Sequence, residues 1–356
     1  MTEQQRIVVV GAGYAGLTAA NRIGRNRPVT LVAPEARFLH RVRQHEAAAG
    51  RPEHRPDIAH VLRGRRVTHR QARVTEIDLT ARKVFLDSGA PLAYDTLVYA
   101  LGSRTAFHGV PGAAEHTYPA ERAAELRQRI ADAPAPGTIA VVGGGATGIE
   151  LATELAEAHP AWRIALVSAE RIGGWLSPKG RGHVLAVLAR LGVRLHEHTE
   201  VTGVGPDGLR TATGPVPADL TVWAASMEPH PLAARAGLAV APDGRAVVDG
   251  QLRSVSHPDV HVVGDAAAVD LPGTGRLRMG CVTAQPMGRY LGRLLGGRTT
   301  EPFTFRYVVH CLSLGRREAL VQLVRADDAM RPAVLTGAAG RLTKTLIVNG
   351  VVTGLR

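Results

Sequence analysis

Cysteine is almost missing from this 356-residue chain: Cys281 and Cys311 are the only two. They are too few for a disulfide scaffold or a zinc site and too far apart for a C-x-x-C redox pair, so a reducing, cytoplasmic setting is expected. Lysine is nearly as scarce. Lys83, Lys179 and Lys344 are the whole set, and arginine supplies the rest of the 43 basic residues behind a formal charge of +12. These arginines never gather into a block; they stand singly or in pairs such as Arg65 with Arg66 and Arg316 with Arg317. A dedicated nucleic-acid surface is therefore not expected, although anionic ligands are welcome. No run of about eighteen apolar residues is present to cross a membrane. The polar start "MTEQQR" and the apolar run broken by Gly11, Gly13 and Gly16 are unlike a secretory signal. His40, His45, His108 and His183 have no metal-binding spacing and read as surface or hydrogen-bonded residues, with no metal expected.

What the chain does have is glycine, 40 of them, in a 45% hydrophobic background that points to a folded α/β protein. Its length suits two domains with room for a small third. "RIVVVGAGYAGLTAANRI" reads as a buried strand, a tight turn and a helix. Gly11, Gly13 and Gly16 fit G-x-G-x-x-G: the first permits the turn, the second lets backbone approach a pyrophosphate, and the third packs helix on strand. Free amides of Tyr14, Ala15 and Gly16 at the helix start then face phosphate. The next strand, "PVTLVA", ends in Ala33 where an acid would bond the adenosine ribose. Glu35 is the nearest candidate, and backbone groups or an arginine of "RFLHRVRQHE" are the alternatives.

Gly143, Gly145 and Gly148 repeat the pattern after "TIAVV" and before a second helix, with Ala146 and Thr147 at its start. Two matches in matching contexts imply two dinucleotides. A nicotinamide on one unit delivering hydride to a flavin on the other is the simplest chemical reason, since side chains do not carry hydride. "YDTLVYALGS", with Gly102, and "ADLTVWAAS" are matching strand-to-turn segments, one after each unit. "HPDVHVVGDAAAV" ends a strand at Gly264 and Asp265, where glycine allows close approach and the carboxylate can accept a ribitol hydroxyl. Ser168 ends "WRIALVS" where an acid would select NADH; Glu170 and Arg171 follow, one suited to each cofactor, so NADH or NADPH stays open.

Together, Gly11 to Gly16, "YDTLVYALGS", "VVGGGATGIELA", "VVGDAA" and "TAQPMG" resemble the two-dinucleotide-binding-domain flavoproteins, in the type II NADH:quinone oxidoreductase and apoptosis-inducing-factor-like branch. The resemblance implies two Rossmann-like domains, the second inserted in the first, and a small C-terminal α+β domain. FAD would be held by residues 1–110 and 245–300, NAD(P)H by 111–244, and 301–356 would lie over the flavin. The disulfide-reductase branch is set aside, because the helix after Gly16 lacks its paired cysteines. By the same resemblance Glu150, read as a first-turn helix acid, stands beside the nicotinamide and the flavin edge. Ala284 and Gln285, near the start of a helix read with Thr283 as its N-cap, would face the flavin pyrimidine, and Gln285 would border a quinone pocket. Cys281 reads as a small buried apolar residue.

Helix-forming residues 119–132 precede the breakers Pro134, Pro136 and Gly137. The tail turns to short β-rich runs about Gly315. "RLTKTLIVNGVVTGLR" is a poor helix candidate, being β-branched and interrupted by Asn349 and Gly350, and it leaves peripheral membrane contact at the inner face or packing on its own sheet or a twin subunit open. The expected activity is hydride transfer from NAD(P)H to FAD and on to a quinone-like acceptor. Its rivals are a flavoenzyme acting on a small metabolite, a reductase for an iron-sulfur protein, and a redox-sensing binding protein.

Overall fold

The computed structural model describes residues 5–355; Met1 to Gln4, most of the polar start, lie outside the described residues. In chain order the elements that position the site begin with strand β1 (Ile7–Val10), helix α1 (Tyr14–Ile23), β2 (Val29–Val32), the short helix α2 (Gln44–Ala48), β3 (Val67–Arg70) and β4 (Thr96–Tyr99). Next come β5 (Tyr118–Pro119), α3 (Ala123–Asp132), β6 (Thr138–Val142), α4 (Ala146–Ala158), β7 (Arg163–Val167), α5 (Pro178–Arg190), β8 (Arg194–His196) and β9 (Leu220–Trp223). The chain closes with β10 (Val260–Val262), α6 (Cys281–Leu294), β11 (Val309–Leu314), β12 (Glu318–Val324), β13 (Met330–Leu335) and α7 (Gly337–Thr353).

Two parallel sheets result. The first runs β10-β4-β1-β2-β3 and the second β8-β7-β6-β9-β5, so each places its glycine-turn strand at the centre. Buried on both faces, β1 is Ile-Val-Val-Val, the continuous apolar run expected of a central parallel strand. The two matching segments pair as their likeness implies: β4 lies beside β1 with Val10 opposite Tyr99, and β9 beside β6 with Val142 opposite Trp223. The first sheet takes strands from both sides of the chain segment that forms the second.

The C-terminal strands β11, β12 and β13 form an antiparallel sheet. Leu312, Leu314 and Leu320 join the core of the second parallel sheet, whereas Tyr307, Val324 and Leu355 join that of the first. This segment therefore belongs to both cores.

Three local expectations are corrected. The tail forms a 17-residue helix, α7. Its β-branched content is a weak prior that packing overrides: Val348 is buried, and Gly340 lies so close that a Cβ there would come within 2.7 Å of the Ala319 carbonyl. Helix α6 begins at Cys281 with Gly280 as its N-cap, three residues before the expected cap; the Thr283 hydroxyl instead donates back to the carbonyls of Arg278 and Gly280. Because α4 begins at Ala146, Glu150 falls in its second turn and not its first.

Candidate functional site

The two glycine turns are built alike. Gly11 has φ +98° and a Cβ on it would stand 2.4 Å from the Ala100 carbonyl; Gly143 has φ +125° and would meet the Ala224 carbonyl at 2.6 Å. A Cβ on Gly16 would lie 1.9 Å from the Gly11 carbonyl, and one on Gly148 1.8 Å from that of Gly143. Both pairs are therefore fixed by the fold itself. Gly13 and Gly145 are different: each has open space where a Cβ would be. They are also the N-caps of α1 and α4, and neither helix start has a side-chain cap. Unclaimed amides facing open space fit an anionic group, as a dinucleotide pyrophosphate requires. The second turn is the more open, with Gly145, Ala146 and Thr147 all exposed.

Around the first turn, Gly264 has φ +73° and fits between Ala15 and Ala284, joining the starts of α1 and α6. Asp265 accepts from the Ser103 hydroxyl at 2.6 Å and the Gly280 amide at 2.7 Å. It thus ties the "LGS" turn that contains Gly102 to the start of α6, and an ionised carboxylate has lone pairs left for a ribitol hydroxyl. Glu35 stands exposed just past β2, where an adenosine ribose would be met. The arginines of "RFLHRVRQHE" are engaged within the protein: Arg37 pairs with Asp57, Arg41 with Glu121, and Arg43 with Glu46.

Tyr14 is buried and its hydroxyl accepts from the Val42 amide at 3.2 Å. It also lies 2.8 Å from His40 Nδ1, and a proton donated there would leave the ring proton on Nε2. That Nε2 is buried and has no protein partner among the described residues. Burial pushes His40 down to about 4, so the ring is neutral. His40 and His45 are thus interior residues, not surface ones. His108 is exposed, and His183 pairs with Glu318 at 3.2 Å. No cluster of ligating side chains that could hold a metal occurs among the described residues.

The two residues singled out nearest the chemistry are bound to the same element, the tail helix. Glu150 Oε1 accepts from Lys344 Nζ at 2.8 Å and from the Ser313 amide at 2.9 Å. Gln285 Nε2 donates to the Val351 carbonyl at 2.6 Å. Lys344 also donates to the Cys311 carbonyl, and His45 Nδ1 stands 3.9 Å from Glu150 Oε2. Burial by itself would raise the Glu150 carboxyl, but the Lys344 ammonium overrides it and holds the group below its ordinary range. Burial would likewise lower Lys344, and Glu150 raises it instead. Both are charged at neutral pH. The Cys281 thiol is pushed up to about 11, chiefly by burial, as suits a packing residue and not a thiolate nucleophile.

In the second unit Ser168 ends β7 against Gly144, where a Cβ would lie 2.5 Å from its hydroxyl, and Arg171 is exposed on the loop that follows. Sequence reasoning passed over Ser313 and gave Lys344 and His45 no part in the site. Lys344 had a usable signal: it is one of three lysines in an arginine-rich chain, set in an otherwise uncharged stretch from Leu342 to Leu355.

The comparisons agree with this geometry. Residues 5–288 match the model of the pyridine nucleotide-disulphide oxidoreductases. An NADH dehydrogenase-like protein of Mycobacterium tuberculosis is 29% identical over 374 residues, covering 96% of this chain and 92% of the relative. The demethylphylloquinone reductase NdbB of Synechocystis sp. is 30% identical over 290 residues, covering 74% and 72%. The structure of NDH2 from Plasmodium falciparum in complex with NADH superposes with a TM-score of 0.84 at 14% identity, covering 98% of this chain and 95% of that one. With two open glycine turns at the heads of two parallel sheets and a family match over most of its length, this chain belongs to the pyridine nucleotide-disulphide oxidoreductase family.

Proposed function

We propose that the chain is an FAD-dependent NAD(P)H dehydrogenase with a quinone-type acceptor. The observation that carries this is the pair of uncapped helix starts at Gly13 and Gly145, each opening on space at the head of its own parallel sheet. The overall reaction balances as NAD(P)H, one proton and a quinone giving NAD(P)+ and the hydroquinone. FAD, when bound, supplies the group that takes hydride from nicotinamide and releases electrons to the acceptor.

The chain's own residues do the rest. The amides of Gly13 to Gly16 and of Gly145 to Gly148 bind the two pyrophosphates, and Asp265 orients a ribitol hydroxyl. The start of α6, at Cys281, turns its positive end toward the cofactor ring, with Ala284 and Gln285 within its first two turns. Glu150 keeps Lys344 protonated in a buried place, so that Nζ holds a proton within reach of a reduced acceptor oxygen. Alignment supplies most of the rate. In this reading residues 1–110 and 245–300 hold FAD, 111–244 hold NAD(P)H, and 301–356 close the acceptor side. Cytoplasmic residence belongs to the same reading, supported by two free thiols.

The test is a visible spectrum of the purified protein during anaerobic titration with NADH and NADPH, followed by a quinone. Bleaching of a flavin band by the nucleotide and its return on adding quinone are expected. A protein that takes up no FAD would overturn the reading.

A further inference from the structure

Between α2, the β11–β12 turn and α7 lies a cavity of about 380 Å³, within the size range of small-molecule sites. Lys344, whose ammonium is paired with Glu150, forms part of its wall, so it adjoins the centre described above. Charged groups make up much of the rest: Arg43, Glu46, Arg316, Glu318 and Arg341. Both acids are already neutralised. Glu46 lies 3.1 Å from Arg43 and 3.5 Å from Arg316, and Glu318 lies 3.2 Å from His183 and 3.4 Å from Arg190. Arg341 is the cation left over, with no side-chain partner among the described residues. Val42 and Val348 add apolar surface, and Ser313 and Thr345 add hydroxyls.

We infer that the acceptor admitted here is a small quinone bearing a carboxylate, met by the Arg341 guanidinium while its ring lies toward Lys344. Arginine's planar fork suits a carboxylate bidentately. The acid takes no part in the redox change, which remains a quinone gaining two electrons and two protons. A neutral polyprenyl quinone would gain nothing from Arg341. A carboxylated quinone dissolves in water and needs no lipid surface to bring it.

The inference rests on the quinone-reductase reading, and the experiment separates the two. The FAD-loaded protein is supplied with NAD(P)H and three acceptors of matched potential: a naphthoquinone, the same ring with a carboxylate, and a long-chain quinone in phosphatidylcholine vesicles. The carboxylate form should have a kcat/KM about tenfold or more above the neutral ring. That preference should shrink as salt rises from about 0.05 to 0.5 M, as an exposed charge contact does. Arg341→Glu, at an exposed position, should lower the ratio of acidic to neutral kcat/KM by about a hundredfold, adding repulsion to the lost pair. Equal use of the two rings, faster turnover of the vesicle quinone, or an unchanged ratio in R341E overturns the inference and leaves the quinone-reductase reading standing. Failure of every quinone to reoxidise NAD(P)H-reduced flavin overturns that reading as well.

Discussion

Glu150 and Lys344 form a buried ion pair, 2.8 Å between Oε1 and Nζ, that joins the helix of the second glycine turn to the last helix of the chain. Removing one partner leaves the other's charge unpaired and largely shielded from water, at a cost of up to about 3–5 kcal/mol. Lys344→Met should therefore lower the melting temperature by several degrees and slow reoxidation of reduced flavin by a quinone. Glu150→Gln should act less on stability, because the amide still accepts from Lys344 and Ser313. Thermal unfolding and anaerobic stopped-flow traces of both variants check this; equal melting temperatures for wild type and K344M would refute it.

The two glycine turns separate folding from binding. Gly13→Val and Gly145→Val place side chains in open space at backbone angles that other residues adopt, Gly13 having φ −72° and Gly145 φ −81°. Both variants should fold. G13V should lose FAD, read as absorbance of the purified protein, whereas G145V should retain FAD and raise KM for NAD(P)H by about tenfold or more. Gly16→Val and Gly148→Val collide with backbone carbonyls and should yield little folded protein. Normal flavin content in G13V would show that this turn does not hold the cofactor.

One helical turn beyond Glu150, Glu154 is almost fully buried and accepts from Arg51 Nε at 3.0 Å and from the Arg316 guanidinium. Arg51 follows α2, and Arg316 lies on the β11–β12 turn, so one carboxylate ties two separate stretches of chain to α4. Because small misplacements of reacting groups are costly, Glu154→Gln should slow hydride transfer from NAD(P)H by about tenfold or more while leaving flavin content intact. Single-turnover flavin bleaching measures this. A lowered melting temperature with an unchanged bleaching rate would make the clasp purely structural.

Arg171 is exposed just past Ser168, which stands where an acid would select NADH, with Glu170 beside it. Arg171→Ala should raise KM for NADPH by about tenfold and change KM for NADH much less. Equal effects on the two nucleotides would place Arg171 outside the adenosine site.

His40 and His261 are both pushed down to about 4 by burial. In the unfolded chain they titrate near 6.5, so between these values the unfolded state binds more protons. Stability from these two groups is thus complete above about pH 6.5 and falls as pH drops toward 4. Melting temperatures across about pH 7.5 to 4.5 should decline through this window, less steeply in His261→Gln. A flat profile between about pH 5 and 7 would contradict the burial of both rings in neutral form.

The nucleotide units were legible because their signals are local. A strand, three glycines at fixed spacing and a helix fall within about twenty residues, although Gly11 and Gly143 also answer to the distant Ala100 and Ala224 carbonyls. The tail was illegible for the opposite reason. Val348, Val351 and Val352 argue against a helix in isolation, and only contact with the sheet under Gly340 reverses the preference. The start of α6 was misplaced by three residues because Thr283 has cap chemistry, yet its hydroxyl turns back to carbonyls inside the turn.

The sequence alone determined the two parallel sheets, their central strands and the glycines that shape the turns, since backbone sterics and strand burial are written in neighbouring residues. Tertiary structure decided which distant groups meet: Glu150 with Lys344, Gln285 with the Val351 carbonyl, Tyr14 with His40, and Arg341 with the wall of a cavity. Ion pairing and burial depend on through-space distance and on the exclusion of water, and neither is a property of a residue's neighbours along the chain.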